Sequence, residues 1–593
     1  MRNLQTITKE TYDLVVIGGG INGAGVIRDA ALRGLKTILI EKGDFCSGTT
    51  SWSTRLIHGG LRYLESFELA LVRESLRERE ILLHTAPHLV KPLLLTIPIY
   101  GDRSRPYWKI QAGMMLYDTL SFDKSLPPHR MLPKEKFQQL FRYLDPENLQ
   151  GAAQYYDAQA AYAERLALEN ILSAQKAGAT VLNYVEVTQL QRRGDRIVAL
   201  TCKNCLTGEE WVIQSGDRAI IINTSGPWVD QVLHSGVTLS ESRGAGEQQT
   251  IDTPQNSGLS TLRRSSGQAQ DSELPSPNPI GKKEKIGATK GSHIVVDPFP
   301  GAPTDSALYV EAKTDKRPFF IVPWLGKILI GTTDTRFRGD LDKIKASNEE
   351  IDYLLTETNR IIPSAQLTRQ DVKLTYSGVR PLPYAEGKEP GSVTRKHILY
   401  DHSSEKATNL ISLIGGKITT YRQVGEEIVD AVYKKLGRSA PPCPTQDKPL
   451  PGAILPSDPR LQQALENYGN SLAPATIHYL FSVYGARALE VLALTDSEPE
   501  LAEAIAPNLP HIKAQIVYAV QSEFAQTLVD IIRRRTILAI QGNYGFDLLP
   551  VVTQILMRYC TWSQEKCDRQ VAQYRTYMQD NCIPDYALPS EVM

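Results

Sequence analysis

The chain has 593 residues, too many for one compact core, so two or three domains are expected. Lysine plus arginine equals aspartate plus glutamate at 66 each, beside 41% hydrophobic residues; this is the balance of a soluble globular protein without overall attraction for nucleic acid. Seven cysteines in so long a chain do not make a disulfide framework.

The opening MRNLQTITKE lacks the basic-then-apolar pattern of a signal peptide. Runs of about 18 apolar residues, the length that spans a bilayer, do not occur, and the stretch from Leu93 to Ile99 is broken by proline. An intracellular chain that does not cross a membrane is expected.

Leu14-Val15-Val16-Ile17 reads as a buried parallel strand. Gly18-Gly19-Gly20-Ile21-Asn22-Gly23 then places G-x-G-x-x-G where that strand turns into a helix, from about Asn22 to Arg33. Gly18, Gly20 and Gly23 suit a tight turn, close approach to a pyrophosphate and close helix–strand packing, and the helix N-terminus favours phosphate. A second strand, Thr37 to Ile40, ends on Glu41, roughly 20 residues on, where a carboxylate accepts ribose hydroxyls and repels a 2′-phosphate. Strand, glycines, helix, strand and acid in order indicate dinucleotide binding. A kinase loop would be followed by VAIK and HRD, which are missing. The fingerprint does not separate FAD from NAD.

Thr49 to Glu65 is rich in hydroxyls and glycines. Gly59-Gly60 before Arg62 lets backbone approach something flat or bulky, or simply caps the helix expected at Phe67 to Leu83. Tyr107 to Phe122 is apolar and aromatic; it reads as core, with a membrane-facing surface as the alternative. Tyr162 to Lys176 reads as a helix, and Val181 to Val187, Arg196 to Thr201 and Trp211 to Gln214 as a meander. Cys202 and Cys205 form one CxxC without a second pair. Ala219 to Asn223 is a buried strand ending in a second glycine turn, Thr224-Ser225-Gly226-Pro227-Trp228.

Residues 240–285 are rich in Ser, Gln, Gly, Pro and charge, and read as a disordered insertion. Strand-like sequence resumes at Gly291 to Val296, and Phe319 to Thr333 gives two more strands. Thr375 to Leu382 sets Arg380 past a glycine, and Leu410 to Ile414 leads through Gly415-Gly416-Lys417 into a helix opened by Gly415 to Arg422. Beyond a proline-rich linker, Ser439 to Pro451, the periodicity is helical at Ile477–Val483, Ile512–Ile532 and Leu548–Cys560, with Thr561 and Gln564 as the capping pair of the last helix.

HExxH, GxSxG and clustered metal-ligand spacings are missing, so metal and serine hydrolases lack support. What recurs is a glycine turn followed by a cation: Arg62, Arg380, Lys417. Singly each reads as a surface or capping charge. Converging, they would suit a phosphate.

IGGGINGAG, LIHGGLRYLE, NTSGPWV, KGSHIVV, GTTDT, YSGVRPL and GGKITTYR, in this order, resemble FAD-dependent glycerol-3-phosphate dehydrogenase from about Tyr12 to Arg422. The resemblance implies an α/β fold: an FAD-binding doubly wound domain of the glutathione-reductase-like flavoprotein type (12–88, 151–229, 371–438), an antiparallel-sheet substrate domain (89–150, 286–370) and a C-terminal helical domain (450–580). It implies oxidation of sn-glycerol 3-phosphate to dihydroxyacetone phosphate, electrons passing to a quinone, and a cytoplasmic protein peripherally bound to the inner face of a membrane. A homodimer is compatible with it. An oxidase using oxygen, a related amino-acid-oxidase-type enzyme, or a flavin-containing protein without turnover are the rival readings.

By matching motif, Gly18, Gly20, Ile21, Asn22, Gly23, Glu41 and Lys42 would hold the ADP part of FAD, with Thr50, Ser225 and Gly226 close by. Ser53, Thr54, His58, Gly59, Gly60, Gly416, Lys417, Ile418 and Thr419 would surround the isoalloxazine. Arg62, Tyr63, Arg380, Arg395 and Lys417 resemble the substrate-site residues, and His293 is the expected base for the C2 hydroxyl, as a near-neutral imidazole, with His58 as runner-up. No metal is expected. Against the family pattern, the 240–285 insertion is long, Trp52 is bulky where small residues are usual, and Arg55 stands where lysine is common.

Overall fold

The computed structural model describes residues 7–239 and 280–588, apart from 104, 217, 282, 389, 390 and 392. Leu14–Ile17 is buried throughout, as a branched aliphatic run must be at the centre of a sheet covered on both faces. It pairs in parallel with Thr37–Ile40 and with Ile220–Asn223. Thr180–Leu182 and Leu410–Ile414 extend the sheet in parallel, and Ile398–Asp401 closes one edge antiparallel. Val181 and Leu182, expected in the meander, thus belong to the parallel sheet. The meander itself is Val185–Arg193, Arg196–Asn204 and Glu210–Gln214.

Helix Ile21–Leu32 packs between Ala163–Lys176 and Tyr421–Lys435. Gly25 and Gly425 allow the last contact, since a Cβ on Gly25 would lie 2.8 Å from the Tyr421 carbonyl oxygen and one on Gly425 2.9 Å from the Gly25 carbonyl carbon. Helix Tyr421–Lys435 starts later than the motif suggested: Gly415 and Gly416 both take positive φ (83° and 99°), and Lys417–Thr420 forms a turn before it.

The second sheet has ten described strands. In order they are Thr335–Arg336, Thr289–Val296, Lys327–Gly331, Pro318–Trp324, Ala307–Glu311, Val90–Tyr100, Leu149–Ala160 and Leu56–Ile57, with Val372–Arg380 on Thr289–Val296 and Arg130–Pro133 on Leu149–Ala160. Its described pairings are antiparallel except that of Ala307–Glu311 with Val90–Tyr100. Leu149–Ala160 and Val372–Arg380 therefore belong to this sheet and not to the nucleotide segments 151–229 and 371–438. A strand's own alternation does not say which sheet it will join.

The expected disordered insertion falls outside the described residues from 240 to 279. Its end is packed: Ile280 is buried, and Lys285 Nζ donates to Glu405 Oε1 (2.8 Å) and lies 4.0 Å from the Tyr400 ring centroid.

From Pro459 the chain is helical. The stretch Ile512–Ile532 is not one helix: Ala514–Ser522 stops where Glu523 turns inward to Arg165 (2.6 Å) and Phe524 takes φ 60°, and a π-helical turn, Asp530–Arg535, follows. Ser563, not Thr561, caps helix Gln564–Asn581, accepting the Lys566 N–H. Asp44, bound by Arg534 and Arg535 at 2.7 Å each, ties this domain to the nucleotide domain. No helix among the described residues is long and apolar enough to cross a membrane.

Candidate active site

Gly18 leaves its strand at φ 105°, and a Cβ there would sit 2.8 Å from the Ser225 backbone. The glycine turns at the ends of two adjacent strands therefore touch, which a side chain on Gly18 would prevent. A Cβ on Gly23 would run into the Gly18 carbonyl oxygen. Gly20 is the extended N-cap of the helix and brings no side-chain cap, while the Ile21 N–H donates to Thr50 Oγ1 (3.0 Å). Glu41 Oε2 accepts from Gly19 N–H (2.6 Å) and Oε1 from Gly43 N–H (2.8 Å). Burial raises its pKa, with these donors and Lys42 opposing. Each oxygen retains a second lone pair for a ribose hydroxyl.

These groups line a cavity of about 910 Å³, near the upper end of the roughly 300–1,000 Å³ typical of cofactor sites. Asn22 Oδ1 is buried without a hydrogen-bond partner among the described residues, and the Asn22 amide lies so close to Gly416 that a Cβ there would be 2.6 Å away. An unmet acceptor beside a glycine cradle and a helix N-terminus fits a diphosphate-bearing dinucleotide. Of the expected cofactor residues, Lys42, Ser53, Ser225, Gly226, Lys417 and Ile418 also border this cavity. Lys42 is held at its mouth by Asp342 (2.7 Å) and stands 4.7 Å over the Trp228 ring.

At the other end, the Ser53–Thr54 loop meets the second sheet. Thr54 Oγ1 and His293 Nε2 are hydrogen-bonded at 2.9 Å, Tyr376 donates its hydroxyl to the Ser53 carbonyl (3.0 Å), and the His293 and Tyr376 rings stack at 4.7 Å. His293 is only 2% exposed. Burial first, then the charges of Arg380 and Arg55, push its pKa down to about 3, below the near-neutral value expected for it. His58 is half-buried, its ring 6.5 Å from that of Phe320, and its backbone N–H donates to Thr419 Oγ1 (3.2 Å). Burial lowers its pKa, Asp157 opposes, and Lys417 adds to the lowering. Gly59 N–H donates to the Tyr117 hydroxyl (2.9 Å) and to Asp157.

The three cations singled out in the sequence do converge, and Arg395 joins them. Burial raises the Tyr63 phenol pKa, and Arg395, Arg62 and Arg380 pull it back. Lys417 Nζ lies 5.0 Å from the Tyr63 ring centroid and donates to Ser75 Oγ (2.7 Å). Burial pushes the Lys417 pKa down to about 8, with Glu74 and Glu68 opposing. Asp334 bridges Arg380 (3.0 Å) and Arg395 (3.5 Å). Arg380 also donates to Thr332 Oγ1 (3.1 Å), and Arg62 to the Gly391 carbonyl (3.0 Å).

Nothing local in the GTTDT motif marks Asp334 or Thr332 as partners of Arg380. A cross-strand row, Tyr309, Phe320, Gly331, His293 and Tyr376, has no local signal either; the His293 ring lies over Gly331, where a Cβ would come within 2.4 Å of it. Gln573 and Tyr577 of the C-terminal helix border the cofactor cavity, which no local signal announces.

A parallel nucleotide sheet whose glycine turn opens on a dinucleotide-sized cavity, with a second sheet closing the ring-side loop, defines an FAD-dependent oxidoreductase. Residues 13–266 and 265–422 match the family described as FAD dependent oxidoreductase, and residues 443–567 match the C-terminal domain of alpha-glycerophosphate oxidase. A glycerol-3-phosphate dehydrogenase of Synechocystis sp. is 60% identical, over 99% of this chain and 100% of its own. A D-erythritol 1-phosphate dehydrogenase of Brucella abortus is 35% identical over 89% of this chain and 94% of its own. The crystal structure of glycerol-3-phosphate dehydrogenase from Bacillus halodurans complexed with FAD superposes with TM-score 0.73 at 26% identity, covering 98% of each chain. The chain belongs to the FAD-dependent glycerol-3-phosphate dehydrogenase family, and its cofactor is FAD.

Proposed function

We propose that this chain oxidises sn-glycerol 3-phosphate to dihydroxyacetone phosphate and passes the electrons to a quinone. The observation that carries this reading is the gathering of Arg62, Arg380, Arg395 and Lys417 around Tyr63, beside the ring-side loop. Guanidinium groups with fixed partners suit a phosphate, because bidentate charge-assisted contacts also orient it. Bound FAD supplies the hydride acceptor. The chain supplies the anion site and the base for the C2 hydroxyl proton. His58 suits that role better than His293: it is the more accessible of the two and lies near Lys417, whereas Nε2 of His293 is engaged by Thr54.

An apolar groove of about 300 Å³, lined by Leu61, Leu64, Phe67 and Leu116, shares Arg62 with the cation cluster and has Tyr309, stacked on Phe320 at 4.8 Å, in its wall. Such a groove suits a quinone head and supports the quinone over oxygen. Around it Phe67 (85%), Trp108 (71%) and Phe122 (78%) are exposed, with Arg73 4.5 Å over the Phe122 ring. Apolar rings flanked by cations suit the interfacial region of a bilayer and support peripheral binding to its inner face. Helix Tyr107–Leu120 has one face of each kind: Ile110, Met114 and Tyr117 are core, while Trp108 and Met115 are exposed.

Anaerobic addition of glycerol 3-phosphate should bleach the flavin absorbance, with glycerol ineffective, and a short-chain quinone should restore it. An unbleached spectrum would remove the substrate assignment. Stoichiometric hydrogen peroxide with quinone ineffective would make the protein an oxidase.

A further inference from the structure

The π-helical turn Asp530–Arg535 carries three consecutive buried arginines, and they are not used alike. Arg534 bonds Asp44 and Asp530, and Arg535 bonds Asp44 twice and the Glu523 carbonyl. Arg533 is fully buried, yet none of its three guanidinium nitrogens has a hydrogen-bond partner among the described residues. Its nearest carboxylate is Glu164, at 3.7 Å. Glu164 is already taken by two bonds from Arg55, at 2.7 and 2.8 Å. Two cations thus share one carboxylate, and the other groups that sense Arg533 include the neutral Tyr376, Tyr574, Tyr577 and Cys582, of which the Cys582 thiol lies close enough to be a weak acceptor at most.

Taking a charge out of water without hydrogen bonds is destabilising, and a well-packed apolar side chain in its place is commonly neutral or better for stability. A buried cation kept in this state is better explained by what it does to its surroundings. Arg533 lies 4.8 Å from the Trp52 ring centroid and 5.9 Å from that of Tyr376. Trp52 borders the cofactor cavity and leads directly into Ser53 and Thr54. The charge therefore stands one indole away from the wall of the cavity, at the end where the ring-side loop meets the second sheet.

We propose that Arg533, delivered by the C-terminal domain, raises the reduction potential of the bound flavin. A fixed positive charge in a water-excluded region favours the reduced ring, which carries more negative charge than the oxidised one. The inference rests on the isoalloxazine lying by the Ser53–Thr54 loop and Lys417. It also gives the bulky Trp52 a role, as the spacer on whose face the cation rests.

The test is the two-electron midpoint potential of the FAD-loaded enzyme, with the thermal midpoint of the same samples, for Arg533→Met, Arg533→Gln and Arg533→Lys. Arg533→Met and Arg533→Gln should lower the equilibrium constant for reduction about tenfold, a midpoint about 30 mV more negative. Arg533→Lys should stay at the parent value, and the thermal midpoint of at least one neutral variant should equal or exceed the parent's. A neutral variant that loads FAD with unchanged potential overturns the inference, as does loss of FAD and of thermal stability in both neutral variants. Lys417→Met is the reference. If it lowers the potential and the Arg533 variants do not, the inference fails while the ring placement stands; if neither moves, the placement fails as well.

Discussion

Asp334 turns two separate arginines into one rigid unit, because each of its oxygens takes a different guanidinium. A carboxylate beside an intended anion site looks contradictory. In the proposed site its service is orientation, holding Arg380 so that less rotamer freedom is lost on binding a phosphate. Removing one charge-assisted partner costs about 1.5–3 kcal/mol, so Arg380→Ala should raise KM for glycerol 3-phosphate roughly 10- to 100-fold and leave the weak reaction with glycerol nearly unchanged. Equal losses for both compounds would remove the phosphate role. The two histidines separate in a single-turnover measurement of flavin reduction. His58→Ala should slow it by about 10²–10⁴-fold, whereas His293→Ala should change it only a few-fold. The reverse result would return the base to His293. Lys417 gives the pH dependence. Its pKa is pushed down to about 8 by burial, so its positive charge is present below that pH and lost above it. The kcat/KM for glycerol 3-phosphate, which reports the substrate-free enzyme, should fall as pH rises through about 8, and Lys417→Arg should remove that limb up to at least pH 10.

At the scale of elements, legibility follows how local the signal is. Leu14–Ile17, helix Ile21–Leu32 and Thr37–Ile40 were readable almost to the residue, because glycine conformations and apolar runs act within one βαβ unit. Leu149–Ala160 and Val372–Arg380 were not, since their partners lie in other segments. Helix Ile512–Ile532 failed for a related reason. Its periodicity is real, but the buried Glu523–Arg165 pair turns the backbone where propensity alone would continue it. The Gly25–Gly425 crossing is a case where a local letter has a non-local purpose. Gly425→Val would press its side chain on the Gly25 backbone and force the two helices apart, for a loss of about 1–3 kcal/mol in urea unfolding and weaker FAD binding by fluorescence titration. Unchanged unfolding would show that the crossing tolerates more space than its geometry suggests.

For the whole molecule, the apolar groove adjoins the cation cluster through Arg62 and reaches the exposed Phe67. Phe122→Asp with Trp108→Asp should abolish flotation with anionic vesicles and leave anaerobic bleaching intact; retained flotation would move the membrane surface elsewhere. The C-terminal domain, helical by its periodicity, also lines the cavity opened by the glycine turn: Gln573 and Tyr577 border it, and Arg534 reaches Asp44 across 490 residues of chain.

From sequence alone came the nucleotide-binding unit, the cofactor class and the three glycine-turn cations that the fold gathers around Tyr63. Each rests on short-range chemistry: a glycine that must adopt positive φ, a helix end that attracts anions, an ordered set of motifs. The packed molecule alone decided which histidine is the more buried, which acid pairs with Arg380, and that a cation from the far end of the chain stands behind Trp52. Burial, dielectric surroundings and contact between distant segments belong to the folded whole, and no window of residues contains them.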